Sequence, residues 1–113
     1  MSDSPSHRGV MVITAFRPKP GFEDTLLAVV REHVPILRGR GLATDRPALA
    51  MRAADGTIIE VFEWVSEEAI KQAHTDPEVH KLWARYGEAS DCIPYGSLAE
   101  AAELYPGLEP IDL

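Results

Sequence analysis

Residues 57–65 read TIIEVFEWV and carry the strongest strand signal in the chain. Successive side chains of an extended backbone alternate between faces, so Ile58, Phe62 and Trp64 point one way and Ile59, Val61 and Val65 the other. Both faces are largely apolar, the mark of a strand that is covered on both sides. Immediately before it, Asp55-Gly56 is a hairpin turn signal, joining it to a shorter strand over residues 48–53. Further back, VMVITAF at 10–16 is again β-branched and apolar on both faces, with Val10, Val12, Thr14 and Phe16 opposing Met11, Ile13 and Ala15.

Helices separate these strands. Lys19-Pro20-Gly21 breaks the first strand, after which Phe22, Leu26, Val29, Val30, His33, Val34 and Leu37 recur at helical steps. Pro35 cannot donate to the fourth carbonyl back, which predicts an end or a kink near that residue. After the third strand, Ser66 is a good N-cap with Glu67 and Glu68 in the first turn, where the helix dipole favours acids. Asp76-Pro77-Glu78 repeats that grammar, so two helical pieces meet near Thr75, the second with the stripe Val79, Leu82, Trp83 and Tyr86. Ser97 and Glu100 form a capping-box pattern that predicts a short extra helix over 98–105, stopped by Pro106-Gly107. Residues 108–113 are apolar at alternate positions and predict a last strand, which Pro110 assigns to a sheet edge.

The expected order is therefore β-α-β-β-α-β with an inserted short helix before the final strand, an α+β, ferredoxin-like pattern with an antiparallel sheet. Its edges are the second and last strands, where Pro47 and Pro110 fall. Helices can cover one face of such a sheet, and the same face of a second copy is the simplest cover for the other, which predicts a homodimer.

With 113 residues, the chain has the size of one domain, assigned to residues 9–113, with the polar residues 1–8 as a flexible tail. A composition of 45% hydrophobic and 26% charged residues is that of an ordinary globular domain and excludes disorder throughout. The net charge of −7, with no Lys or Arg after Arg85, opposes phosphate neutralisation and excludes nucleic acid and anionic membrane surfaces as partners. One cysteine, Cys92, excludes a disulfide framework and a multi-cysteine zinc site, and with no apolar leader at the N-terminus a cytoplasmic setting is expected.

The first strand followed by KPGFEDTLL, and then EVFEWVSEEAIKQAHTDPEVHKLW, resembles the antibiotic biosynthesis monooxygenase (ABM) family of dimeric α/β-barrel proteins over about residues 9–90. The shared pattern is a strand ending in Trp-x-Ser-x-Glu-Ala, followed by Ala-His and a second His before an aromatic residue. The resemblance implies a cofactor-independent monooxygenase acting on a small aromatic, phenolic or quinol substrate. The alternative it carries is a non-catalytic small-molecule-binding or structural member of the same fold. The haem-degrading branch of the family needs an Asn, a Trp and a His where this chain has Thr14, His74 and Ala84, so haem degradation is disfavoured.

No P-loop, dinucleotide glycine fingerprint or H-E-x-x-H zinc pattern occurs, so no cofactor or metal is expected. Such an oxidation needs a base, a hydrogen-bond donor for an oxyanion and a dry aromatic pocket. A neutral imidazole suits the base role near pH 7. His33, on the apolar stripe of the first helix, and His74, at the Ala-His position implied by the resemblance, are the catalytic candidates. Trp64, His80, Trp83 and Tyr86 are the expected substrate-binding residues. His74 and His80 are six residues apart across Pro77, a spacing that one metal cannot bridge on a regular helix.

Overall fold

The computed structural model describes residues 9–113; the expected tail at 1–8 lies outside the described residues. Strand β1 (Val10–Pro18) leads to helix α1 (Glu23–Gly39), the hairpin β2 (Leu49–Arg52) and β3 (Ile58–Trp64), helices α2 (Glu67–Ala73) and α3 (Pro77–Ala89), and strands β4 (Ser90–Ile93) and β5 (Glu109–Ile111). The five strands form one antiparallel sheet in the order β4-β1-β3-β2-β5. Among the described residues no helix is long and apolar enough to cross a membrane.

The apolar strands β1 and β3 pair at the centre, in a register that sets Val10 opposite Trp64 and Phe16 opposite Ile58. Turn geometry fixes the β2–β3 hairpin: Asp55 Oδ1 accepts from the Thr57 N–H at 2.8 Å, and Gly56 takes the left-handed conformation (φ 92°) that favours glycine. Ser66 caps α2 by accepting from the Ala69 N–H at 3.0 Å, and Asp76 caps α3 by accepting from the Glu78 N–H at 2.9 Å. The break between the two helices therefore falls where the sequence puts its second N-cap and proline.

Four expectations are corrected. Helix α1 runs through Pro35 to Gly39, because Val34 and Leu37 beyond the proline are buried and Pro35 itself is on the exposed side. The helix ends at Gly39 and Gly41, the glycines that close this segment of the sequence, in a Schellman motif with Leu42 N–H donating to the Leu37 carbonyl, Gly41 N–H to that of Arg38, and Gly41 left-handed at φ 75°. Residues 90–93, which the expected element order assigns to no strand, form β4, which completes the sheet on the β1 side. The C-terminal strand is consequently a fifth strand and pairs with β2, so β2 is interior and β4 and β5 are the edges. Finally, the predicted helix over 98–105 is replaced by two 3₁₀ turns, Tyr95–Ser97 and Ala99–Ala102. Glu100 does not close a capping box; its buried carboxylate accepts from the Ala54 N–H at 2.8 Å and ties the C-terminal segment to the β2–β3 turn.

All helices pack on one sheet face. Phe16, Leu26, Val29, Val30, Ile58 and Leu82 form the core toward one end, and Val34, Leu37, Phe62, Trp64, Ala69 and Val79 toward the other. On the opposite face the C-terminal segment covers only part of the sheet, where Leu98 packs with Ala15, Ala53 and Ile59. The rest remains open, leaving Met11, Ile13 and Leu49 at 53%, 49% and 60% exposure.

Asp76 joins two elements at once, since its second oxygen accepts from Arg40 Nε at the end of α1 at 2.9 Å. That hydrogen bond, with the helix-cap N–H groups and the Arg40 charge, holds the Asp76 carboxyl below the ordinary aspartate range. A depressed carboxylate pKa adds stability above its unfolded-state value and loses it as pH falls through the folded one. Asp76→Asn keeps a cap and removes the charge, so its stability deficit, measured by urea unfolding, is expected at neutral pH and to vanish at the acid end.

Candidate functional site

A cavity of about 380 Å³ lies between the helical layer and strands β1 and β3. That volume is within the usual range of small-molecule sites. Its wall is mainly aromatic and aliphatic: Val12 and Phe16 from β1, Phe62 and Trp64 from β3, Trp83 and Tyr86 from α3. The polar members are Thr14, His33, Ser90 and Cys92. The alternation of β1 and β3 aims Val12, Thr14, Phe16, Phe62 and Trp64 at the helices, and the helical period of α1 turns His33 toward them.

Behind this wall a charged residue sits in the middle of β3. Glu60 is fully buried, in phase with Ile58, Phe62 and Trp64. Its Oε1 accepts from the Tyr86 hydroxyl at 3.1 Å and lies 2.9 Å from His33 Nδ1. A carboxylate oxygen that receives the phenol's hydrogen has no proton to offer the ring, so Nδ1 carries the proton and donates. In the neutral ring this places the lone pair on Nε2, and Nε2 makes no hydrogen bond within the described residues although His33 is only 4% exposed. Glu60 Oε2 is likewise buried without a partner. Buried polar atoms are normally paired; of the three unpartnered ones among the described residues, Thr57 Oγ1 stands apart and the other two share this His33–Glu60 pair.

The surroundings hold the dyad in place. The His33 ring meets Phe62 and Tyr86 edge-on, each at 5.1 Å between centroids and 78° between planes. Phe16 stacks on Tyr86 at 4.3 Å. Thr14 Oγ1 donates to the Glu60 carbonyl at 3.2 Å, and Ser90 Oγ to the Tyr86 carbonyl at 2.7 Å. Burial above all, and then the neighbouring Glu60 carboxylate, push the Tyr86 phenol pKa above its usual value. Tyr86 therefore stays a proton donor to Glu60 across the physiological range.

Of the residues expected from the sequence, the structure brings His33, Trp64, Trp83 and Tyr86 together around the cavity and leaves His74 and His80 outside its lining. His74 is exposed at the end of α2, and its ring meets Trp83 at 5.1 Å. His80, also exposed, donates from Nε2 to the His74 carbonyl. The helix break near Thr75 turns both imidazoles toward solvent, and Trp83, which each contacts, is the residue that reaches inward. Sequence reasoning missed Glu60. The signal was present as a carboxylate in phase with an otherwise apolar strand face, a position where acids are almost never found unpaired. Among the described residues no group of three His, Cys, Asp or Glu side chains is placed to hold a metal ion.

The dyad makes a spectroscopic prediction. Nitrogen-15 NMR should show His33 as the Nδ1–H tautomer with an unprotonated Nε2. Glu60→Gln exchanges a carboxylate for an amide that can donate to Nδ1, and should move His33 toward the Nε2–H form. An Nε2–H tautomer in the parent protein would remove the lone pair from the cavity.

Comparison of the chain with protein-family profiles, with curated proteins and with solved structures finds no match, so the geometry of Glu60, His33 and the aromatic cavity carries the functional argument.

Proposed function

We propose that the protein is a cofactor-independent monooxygenase of the ABM type, acting on a small phenolic or quinol-like aromatic substrate. The observation that carries this reading is the Glu60–His33 dyad, whose imidazole lines an apolar, aromatic-walled cavity and whose buried Nε2 has no partner. An imidazole backed by a carboxylate is a general base: the carboxylate orients the ring and stabilises the imidazolium that forms. His33 Nε2 takes the proton of a bound phenol, or the acidic C–H of an anthrone-like ring. The resulting electron-rich anion passes one electron to dioxygen, and recombination of the radical pair forms the C–O bond. Loss of the second oxygen as water leaves the ring oxidised to a quinone. The apolar wall raises the cost of exposed charge and strengthens the interaction between imidazolium and substrate anion.

The same proposal supplies the ferredoxin-like reading of the chain. The four strands β4-β1-β3-β2 with α1 and α2–α3 on one face make that unit, and β5 extends it. It also assigns a second copy of the chain to the open face of the sheet, in the manner of a dimeric α/β barrel. Met11, Ile13 and Leu49 there form an exposed apolar patch of the kind that marks an interface.

Two experiments test these points. Oxygen uptake with hydroquinones and anthrone-like phenols, without added flavin, metal or haem, is expected for the parent protein. His33→Ala should lower the rate about 100-fold or more, the contribution of a positioned base. His74→Ala should leave it near the parent value. Uptake with no phenol on the panel, while calorimetry still detects aromatic binding, would favour the non-catalytic binding protein of the same fold. Separately, sedimentation equilibrium should show a dimer at micromolar concentration, and Ile13→Asp, which puts a charge into the proposed interface, should give a folded monomer. A monomeric parent would remove the dimer.

A further inference from the structure

Cys92 is the single cysteine of the chain and belongs to the cavity wall without taking part in the proton transfer just described. It stands on the edge strand β4, opposite Phe16 in the register with β1. That partner is the ring stacked on Tyr86, so the thiol borders the aromatic floor of the cavity. Cys92 is also solvent-exposed, whereas His33 in the same lining is buried. The thiol thus stands where the cavity meets solvent, with the dyad deeper inside. A lone exposed thiol is only a chemical handle. Here the buried, unpartnered Nε2 of His33 independently marks the adjoining space as one that takes a ligand.

We propose that Cys92 is a covalent capture site for quinoid aromatic ligands held in this cavity. The inference rests on the cavity being an aromatic ligand site, but not on turnover there. The thiolate is the nucleophile, and a ring carbon conjugated to a quinone carbonyl is the electrophile. The sulfur–carbon bond forms as the ring's electron pair moves onto that carbonyl oxygen, which takes up the proton given by the thiol. The hydrogen on the attacked ring carbon then leaves as a proton, and the second carbonyl oxygen gains one from water. The product is an aryl thioether at the hydroquinone level, so the quinone itself is the electron acceptor and no further oxidant or reductant enters. A ligand already held against the wall meets the thiol at a high effective concentration. Quinones are also the product class of the proposed oxidation, so capture fills the cavity and shuts the site when product accumulates.

The experiment follows alkylation of the full chain by equimolar 1,4-naphthoquinone, read by intact mass and peptide mapping. Iodoacetamide serves as the reference reagent for intrinsic thiol reactivity. One adduct is expected, on Cys92. The ratio of its rates with naphthoquinone and iodoacetamide should exceed that of glutathione about tenfold or more, from the effective concentration that binding supplies. Saturation with 1-naphthol under anaerobic conditions, where it matches the quinone in size, is not electrophilic and cannot be oxidised to a quinone, should abolish that excess. A ratio equal to that of glutathione, an adduct elsewhere, or indifference to 1-naphthol would overturn the proposal. Protected adduct formation without oxygen uptake would leave capture standing and remove the oxidation. Uptake without a protected adduct would do the reverse.

Discussion

A carboxylate buried in the centre of a sheet must be paired or it destabilises everything around it. Glu60 sets that condition for this protein. It is reached by His33 from α1 and by Tyr86 from α3, so both main helices are locked to β3 through one oxygen atom. Removing either partner would leave charge in an apolar layer, which ties the placement of the helices to the integrity of the dyad. The aromatic wall follows from the same constraint: Phe62, Tyr86 and Phe16 pack about the pair and exclude water from it. The proposed site and the stability of the core thus make demands on the same residues, a common source of conflict between the two.

The α+β class, the four long strand and helix patterns and the break at Asp76-Pro77 were legible because each is written in local chemistry. Nearly continuous β-branched apolar runs mark β1 and β3, period 3.6 marks α1 and α3, and N-caps mark where α2 and α3 begin. Strand β4 was not legible. Its four residues, SDCI, contain one strong strand former, and the strand exists because the Ala15–Pro18 half of β1 offers it a ladder. Glu100 misled for a related reason, since a local capping pattern lost to a distant backbone N–H that needed an acceptor. Pro35 was overridden by the burial of residues on either side of it.

For the site, the sequence disclosed which faces His33 and Trp64 occupy but not that they share one with Glu60. Apolar counting treats a lone acid within a strand as an exception, whereas phase makes it the informative residue. His74 and His80 show the opposite error. Their positions within a familiar pattern suggested chemistry, yet the three-residue break between α2 and α3 gives an imidazole easy access to water. Nothing local in the sequence says on which side of Trp83 they fall.

Every residue lining the cavity precedes Ile93, the last residue of β4. The segment that follows first covers the other face of the sheet through Leu98 and the Glu100 tie, and then extends the edge as β5 on β2, where Ile111 packs on the helical side and the Asp112 carbonyl accepts from Arg31 Nε at 3.2 Å. Site and outer cover are therefore modular. The stretch from Pro94 to Leu108 can lengthen, shorten or be exchanged in evolution by altering what lies over Ala15 and Ile59, while the dyad and its aromatic wall keep their geometry. Selection on the outer cover of the sheet and selection on the cavity can proceed along separate parts of one chain.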